Sequence, residues 1–328
     1  MQLLHMVTGY YVPQLLYVVA NLGIADHIAQ GRNSIEELAK LTGTHPPSLL
    51  RVLRALASVG VFHENEDGQW SLTELGEGLR SDVPQSQRAW VQLYGGVQQR
   101  AWFDLLYSVQ TGKPAFPHVF NQPYYDYMAS HPEIAALTDI AMDQSVDAWL
   151  SDIAHLPLWH AAKSVTDIGG GHGALLARIL PIYSHLQGIV FDLPHVTAGA
   201  SAIVKKAGIE SRCTIVSGDM LASIPKGSDT YILSRVLLNW SDEQCITILQ
   251  NCREALSPTG KLLVIDAVAP DEPLPSGIAL WDVFLLVIYG ARVRKMDDFI
   301  KLLQAANLQV THVYSTKSQF KAIEIRPK

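Results

Sequence analysis

The 328-residue sequence predicts an α/β protein, an α-helical winged-helix half followed by a Rossmann-like, mostly parallel sheet. Three observations predict it. A helix, helix, hairpin order fills the first eighty residues. Short β-rich runs alternate with helical segments from residue 164. A glycine-rich turn joins the first of those runs to a helix. The length exceeds one ordinary domain, and the changes of pattern divide the chain into 1–85, 86–160 and 161–328.

Residues 7–30 carry apolar side chains at helical spacing and close at Gly31, which predicts one helix. Ser34 and Glu37 form a capping box, each able to satisfy a free backbone N–H, for a short helix ending at Thr42-Gly43. Pro46 and Pro47 start the next helix, with Leu49, Leu50, Leu53, Leu56 and Ala57 on one face and Gly60 as its stop. Val61 to Leu72 alternates around Asp67-Gly68, a hairpin. A DNA-binding wing must neutralise phosphates. Residues 34–80 instead hold four Lys and Arg against seven Asp and Glu, so the wing reads as a dimerisation or packing element.

Residues 86–160 read as helical and rich in aromatics: Trp90, Tyr94, Trp102, Phe103, Phe116, Phe120, Tyr124, Tyr125, Tyr127 and Trp149. Most of these are expected in core packing, and a few in a pocket for a flat apolar ligand. The strands of the second half are expected at Ser164–Ile168, Gly188–Phe191, Cys213–Ser217, Thr230–Leu233 and Lys261–Ala267. An antiparallel pair, Gln309–Tyr314 and Gln319–Ile325, is expected to close the sheet around Thr316-Lys317-Ser318.

A formal charge of -6 argues against nucleic acid or an anionic membrane as partner. The N-terminus carries no basic leader or small-residue cleavage site, and Pro13, Asn21 and Asp282 interrupt the longest apolar runs. No secretory leader or spanning helix of ~20 residues is therefore read. Cys245 and Cys252 lie two helical turns apart, about 10 Å, too far for a disulfide. With the odd Cys213 they predict reduced, buried thiols in a cytoplasmic protein, and no metal site.

The turn Asp167-Ile168-Gly169-Gly170-Gly171-His172-Gly173 precedes the helix Ala174–Leu180. Its glycines let backbone approach a ligand, and Gly169, Gly171 and Ala174 also fit a dinucleotide fingerprint. Charge selects the ligand. Asp167 would repel a pyrophosphate, whereas S-adenosylmethionine (SAM) brings an ammonium and a sulfonium that a carboxylate favours. Asp192, about 20 residues beyond the turn, suits an acceptor of ribose hydroxyls. In Gly218-Asp219-Met220 a carboxylate and a thioether are placed for the adenine amino group and ring. Any one of these acids alone is as well explained as a strand-end turn residue; three at successive strand ends are not.

Further motifs follow in order: Phe191-Asp192-Leu193-Pro194-His195, Asn239-Trp240-Ser241-Asp242-Glu243 and Asn251-Cys252-Arg253-Glu254-Ala255-Leu256. With the glycine turn and Gly218-Asp219-Met220, these make the chain resemble, from about residue 8 to its end, the plant-type (caffeate and hydroxyindole) O-methyltransferase family, which has bacterial members in secondary metabolism. The resemblance implies a class I SAM-methyltransferase fold behind a winged-helix dimerisation domain, and a homodimer. It implies SAM at Gly169, Gly171, Asp192, Asp219 and Met220, with Ser234 where the family has an adenine-side lysine. It also implies an aromatic acceptor beside Met142, Leu238, Asn239, Trp281, Asp282, Phe284 and Leu285. Tyr231–Arg235, Asn251–Ala255 and Leu280–Val283 are similar to the bacterial phenazine N-methyltransferase subgroup.

One departure matters. Leu238 stands where O-methylating members carry a general-base histidine, and the places of the two glutamates that orient it fall at Asp266 and Val293. The replacement candidates for a base are Asp282, Tyr289 and Asp266. Asp282 has a structural hydrogen bond as its plainer alternative. His172 is expected to face cofactor or solvent, and His118, His131, His155 and His160 to lie at the surface. Three function classes fit: a methyltransferase acting at nitrogen or at a pre-ionised oxygen; a SAM-binding pericyclase, hydroxylase or decarboxylase; and a winged-helix regulator, which the acidic wing disfavours.

Overall fold

A computed structural model of the chain describes residues 2–270, 274–314, 316 and 320–328, and the side chains of these apart from 146–149 and 151. Two compact units form: Met1–Phe103 with Ser130–Gln144, and Asp104–Ala129 with Ser145–Lys328. Residues 86–160 therefore divide between them.

In the first unit the expected helix 7–30 is two. Tyr11–Asn21 ends at Leu22, and Ile24–Ala29 begins after Gly23, whose φ of +65° breaks the helical hydrogen-bond ladder. Upstream, Gln2–Val7 and a 3-10 turn at Thr8–Tyr10 run straight into Tyr11–Asn21. Pro13 does not interrupt this run, because it sits in the first turn of its helix, where no N–H partner is lost. Contrary to the sequence expectation, Gln2–Asn21 is long and apolar enough by length and composition to cross a membrane. Helices Ile35–Thr42 and Pro46–Ala57 follow as read. The capping box is half made: Ser34 Oγ accepts the Glu37 N–H, while the Glu37 carboxylate turns to Arg32 at 2.9 Å. Strands β1 (Phe62–Glu64) and β2 (Trp70–Leu72) form the hairpin, with Phe62 opposite Leu72. Asn65 Oδ1 accepts the N–H groups of Asp67 and Gln69 across the turn. Phe62 and Trp70 join Leu38, Leu49, Leu53 and Leu56 in the core of this unit.

The second unit is built on β3 (Ser164–Ile168), β4 (Gln187–Asp192), β5 (Cys213–Ser217), β6 (Thr230–Ser234), β7 (Lys261–Ala269), β8 (Arg294–Lys295), β9 (Leu308–Tyr314) and β10 (Phe320–Pro327). The order across the sheet is β5-β4-β3-β6-β7-β10-β9, with the two-residue β8 parallel to the end of β7. Strands β3 to β7 are parallel. β10 is antiparallel to both β7 and β9, as expected for the closing pair. Lys317 and Ser318 of the expected turn, and the Trp149 side chain, lie outside the described residues. Strand alternation supplies two cores. Ile232, Leu263 and Ile265 face one cluster with Trp159, Leu176 and Ile179. Tyr231, Leu233, Leu262 and Val264 face the other with Ile248, Leu249, Phe299 and Leu302. The three cysteines are buried and unpaired.

Sheet order reverses between β3 and β6, and in such sheets ligands bind at the carboxyl ends of the strands flanking that reversal. Gly173 opens the helix Ala174–Ile179 there with φ +83°, and a Cβ on it would lie 2.9 Å from Val190 of β4. Gly173→Ala is therefore expected to destabilise the chain by ~1–3 kcal/mol, through left-handed strain and overpacking, as read by urea denaturation. An unchanged midpoint would show that the turn can relax.

Candidate active site

The residues singled out for the cofactor converge on one edge. Asp167 is the penultimate residue of β3, Asp192 ends β4, Asp219 follows β5, and Ser234 ends β6, on four strands adjacent in the sheet. Gly169 N–H donates to Phe191 O at 2.8 Å, which seats the turn against β4. Asp192 is fixed by two backbone donors: Gly171 N–H to Oδ2 at 2.8 Å and Leu193 N–H to Oδ1 at 2.7 Å. Asp219 is exposed and accepts the Leu221 N–H at 2.8 Å. Met220 packs on the sheet, its carbonyl held by Asn251 Nδ2 at 2.8 Å. Asn251 entered the sequence reading only as part of a motif; its work as a clamp on this loop depends on a partner 31 residues away.

Asp167 is 2 % exposed, and its Oδ1 has no hydrogen-bond partner. Burial, and then the neighbouring Asp192 charge, push its carboxyl up to about 8, against the pull of Arg235. A buried, orphaned carboxylate oxygen at the glycine turn fits a ligand ammonium, such as the one SAM carries.

The acceptor side is built by the 3-10 turn Leu237–Asn239. Leu238 is 4 % exposed, and its N–H donates to Asp266 Oδ2 at 3.0 Å. Asp266 Oδ1 accepts the Ala267 N–H at 2.8 Å, and no part of Asp266 is exposed. Burial pushes its carboxyl up to about 7, but both oxygens are occupied by backbone. The expectation of Asp266 as a base is thereby corrected: the group positions Leu238. Arg294, also buried, donates to Leu237 O and Trp240 O, each at 2.7 Å, and pairs with Asp242 at 2.7 Å. Asp282 has one oxygen engaged in the same way. Its Oδ1 accepts the Val293 N–H at 2.6 Å, the structural role, and it borders a cleft of about 380 Å³ with Asp242 and Arg292.

Aromatic rings cluster around Tyr289, which packs against the core that holds Leu238. Tyr125 lies parallel to Trp240 at 5.4 Å, and Tyr289 meets Tyr124 at 5.4 Å, Tyr125 at 5.7 Å and Phe284 at 6.3 Å. Tyr289 thus belongs to the cluster as a ring. In the sequence analysis Tyr125 was one of ten aromatics named within 86–160. Its hydroxyl accepts from Asn239 Nδ2 at 3.0 Å, which leaves its own O–H to donate. Burial and, to a lesser extent, the Asp192 charge hold that phenol well above its usual range, so it is a donor and not a base. Leu285 is in the core with Leu238 and Val293, with Trp281 packed against that cluster and edge-on to Phe320 at 6.0 Å. Met142 falls in the first unit.

The histidines sit elsewhere. The half-buried His172 ring packs over Gly199; a Cβ there would lie 2.6 Å from its Nε2. His118 is exposed, pairing with Asp104 and stacking on Tyr107. His155 and His160 are exposed, and His131 is half-buried.

A family model for an O-methyltransferase domain matches residues 102–309, and one for an O-methyltransferase dimerisation domain matches 4–82. Phenazine O-methyltransferase of Lysobacter antibioticus is 41 % identical, over 99 % of this chain and 95 % of that protein. Phenazine-1-carboxylate N-methyltransferase of Pseudomonas aeruginosa is 30 % identical, over 95 % and 92 %. An O-methyltransferase from neocarzinostatin biosynthesis, solved with S-adenosyl-L-homocysteine and 1,4-dihydroxy-2-naphthoic acid, superposes with a TM-score of 0.86 at 32 % identity, covering 97 % and 96 %.

Two measurements test the site. Asp192→Ala is expected to weaken S-adenosylhomocysteine binding ~10- to 100-fold, since a charged acceptor of hydrogen bonds is lost; unchanged calorimetric affinity would reject the assignment. Asp167 and Asp266 titrate at about 8 and 7 when folded, against ~4 when unfolded, so the folded state holds more protons across that interval. The stability they contribute is complete below pH ~4 and lost as pH rises to about 8. The melting temperature should fall from pH 5 to 8, less steeply in Asp167→Asn; equal slopes in the two proteins would contradict the buried acid.

Proposed function

Since the chain belongs to the O-methyltransferase family and is a SAM-dependent methyltransferase, we propose that it methylates a flat, fused-ring aromatic metabolite at a nitrogen, or at an oxygen already ionised on binding. The observation that carries this reading is the apolar pair Leu238 and Val293, 4 % and 8 % exposed, at two of the three places where the family resemblance sets a histidine and its supporting acids. The third place, Asp266, gives both oxygens to backbone N–H groups. A phenol of pKa about 10 is ~0.1 % ionised at neutral pH, a deficit near 4 kcal/mol. A ring nitrogen or an acidic hydroxyl carries no such deficit. For these, holding donor and acceptor in line can supply ~7–11 kcal/mol.

SAM supplies a methyl group made electrophilic by its sulfonium. Asp192 is the group for the ribose hydroxyls, Asp167 Oδ1 for the ammonium, and Asp219 and Met220 for the adenine. The rings of Tyr124, Tyr125, Trp240 and Tyr289 offer faces and edges to a planar acceptor. The Tyr125 hydroxyl offers it one hydrogen bond. The phenazine relatives, one methylating oxygen and the other nitrogen, support the fused-ring class and both kinds of atom. The dimerisation match, together with exposed Leu3, Leu4, Met6 and Val7, supports a homodimer.

The test is a pH–rate profile with acceptor phenols of graded acidity, release of S-adenosylhomocysteine being followed throughout. With no enzymatic base, kcat/KM should track the ionised fraction of each acceptor, so phenols of pKa 7 and 10 differ by up to ~10³-fold at pH 7. Leu238→His should leave N-methylation standing. A profile set by one enzyme group, whatever the acceptor, would overturn the base-free reading. Product formed without S-adenosylhomocysteine would overturn methyl transfer itself.

A further inference from the structure

A tyrosine hydroxyl can donate or accept a hydrogen bond, and the neighbours of Tyr125 select between the two. Asn239 Nδ2 lies 3.0 Å from the Tyr125 hydroxyl and 3.4 Å from the Arg235 carbonyl oxygen. A carbonyl oxygen only accepts, so it holds the nitrogen of the amide on this side. Turning the amide over would set Oδ1 against that carbonyl, oxygen to oxygen. The same nitrogen therefore faces Tyr125, and a nitrogen of this kind only donates. The Tyr125 oxygen accepts, and its own hydrogen is left for another partner. Among the described residues the bond from Asn239 is the only one this hydroxyl makes.

The ring packing keeps that hydroxyl in place. The half-buried Tyr125 ring lies parallel to Trp240 at 5.4 Å and 5.7 Å from Tyr289, so it cannot swing its oxygen out to bulk water. Burial, and to a lesser extent the Asp192 charge, keep the phenol protonated at neutral pH, so the hydrogen is always there to give. Asn239 itself follows Leu238 in the 3-10 turn on the acceptor side. A donor held among aromatic rings is costly while unmatched, and a lone pair on the ligand removes that cost.

We propose that Asn239 is a positioning residue that fixes Tyr125 as a donor toward the acceptor. The molecule methylated then carries a carbonyl, carboxylate or ring nitrogen at this contact, and not an N–H or O–H. The inference rests on the flat aromatic acceptor proposed above.

The experiment uses the full chain saturated with S-adenosylhomocysteine, and ligand-detected NMR titrations with two isosteric pairs of probes. 1-Acetylnaphthalene is paired with 1-isopropylnaphthalene, and 1-naphthylamine with 1-methylnaphthalene. Tyr125→Phe keeps the ring, so both hydrocarbons should bind as they do to the parent, which shows that the cleft is intact. The acetyl-to-isopropyl affinity ratio should fall ~3- to 10-fold in that variant, as one neutral hydrogen bond is lost. In Asn239→Asp the new carboxylate takes the Tyr125 proton and turns the phenol's lone pairs to the ligand. There the acetyl ratio should fall similarly while the amine-to-methyl ratio rises ~3- to 10-fold. A change that merely loosened the turn would lower all four affinities together and could not reverse the preference. Unchanged ratios in Tyr125→Phe, or no reversal in Asn239→Asp, would overturn the proposal and leave the aromatic acceptor standing. A parent chain that binds none of the four probes would overturn both.

Discussion

A guanidinium with 1 % of its surface exposed has no water to fall back on, so protein must satisfy all its donors. Arg294 meets that demand with Leu237 O, Trp240 O and Asp242, and in doing so it fixes both ends of the turn that presents Leu238 and Asn239. Asp266 holds the middle through the Leu238 N–H. Breaking a buried pair of this kind by removing one partner typically costs ~3–5 kcal/mol, because the other charge is left unpaired. The acceptor-side geometry therefore rests on a polar network that never meets the ligand. In the proposed reaction, that network would let positioning stand in for proton transfer.

The cofactor side follows the opposite strategy. There Asp192 and Asp219 are held by backbone N–H groups, while Asp167 is buried with one oxygen unpartnered. A buried carboxyl oxygen without a protein partner suits a ligand cation. Arg235, just after β6, moderates the same field, so this edge of the sheet carries charges of both signs.

Leu238 and Val293, both buried, carry no group that could accept a proton. What remains is an aromatic cluster with a single neutral donor, the Tyr125 hydroxyl supported by Asn239. On the base-free reading proposed above, selectivity falls on the acceptor: only an atom already able to attack is methylated at a useful rate.

The strand positions, the glycine turn and the acids at the strand ends were legible in the sequence, because alternation, helical spacing and turn chemistry act over a few residues. The same short-range logic misjudged Gly23, where one left-handed residue splits an otherwise periodic helix. It also misjudged Pro13, harmless in a first turn. The roles of Asp266, Asp282 and Tyr125 were decided only by the tertiary structure. Asp266 meets Leu238 across 28 positions, Tyr125 meets Asn239 across 114, and Arg294 meets Leu237 across 57. A buried polar group takes whichever partner the packed fold brings within about 3 Å. Residue spacing along the chain carries no information about that choice.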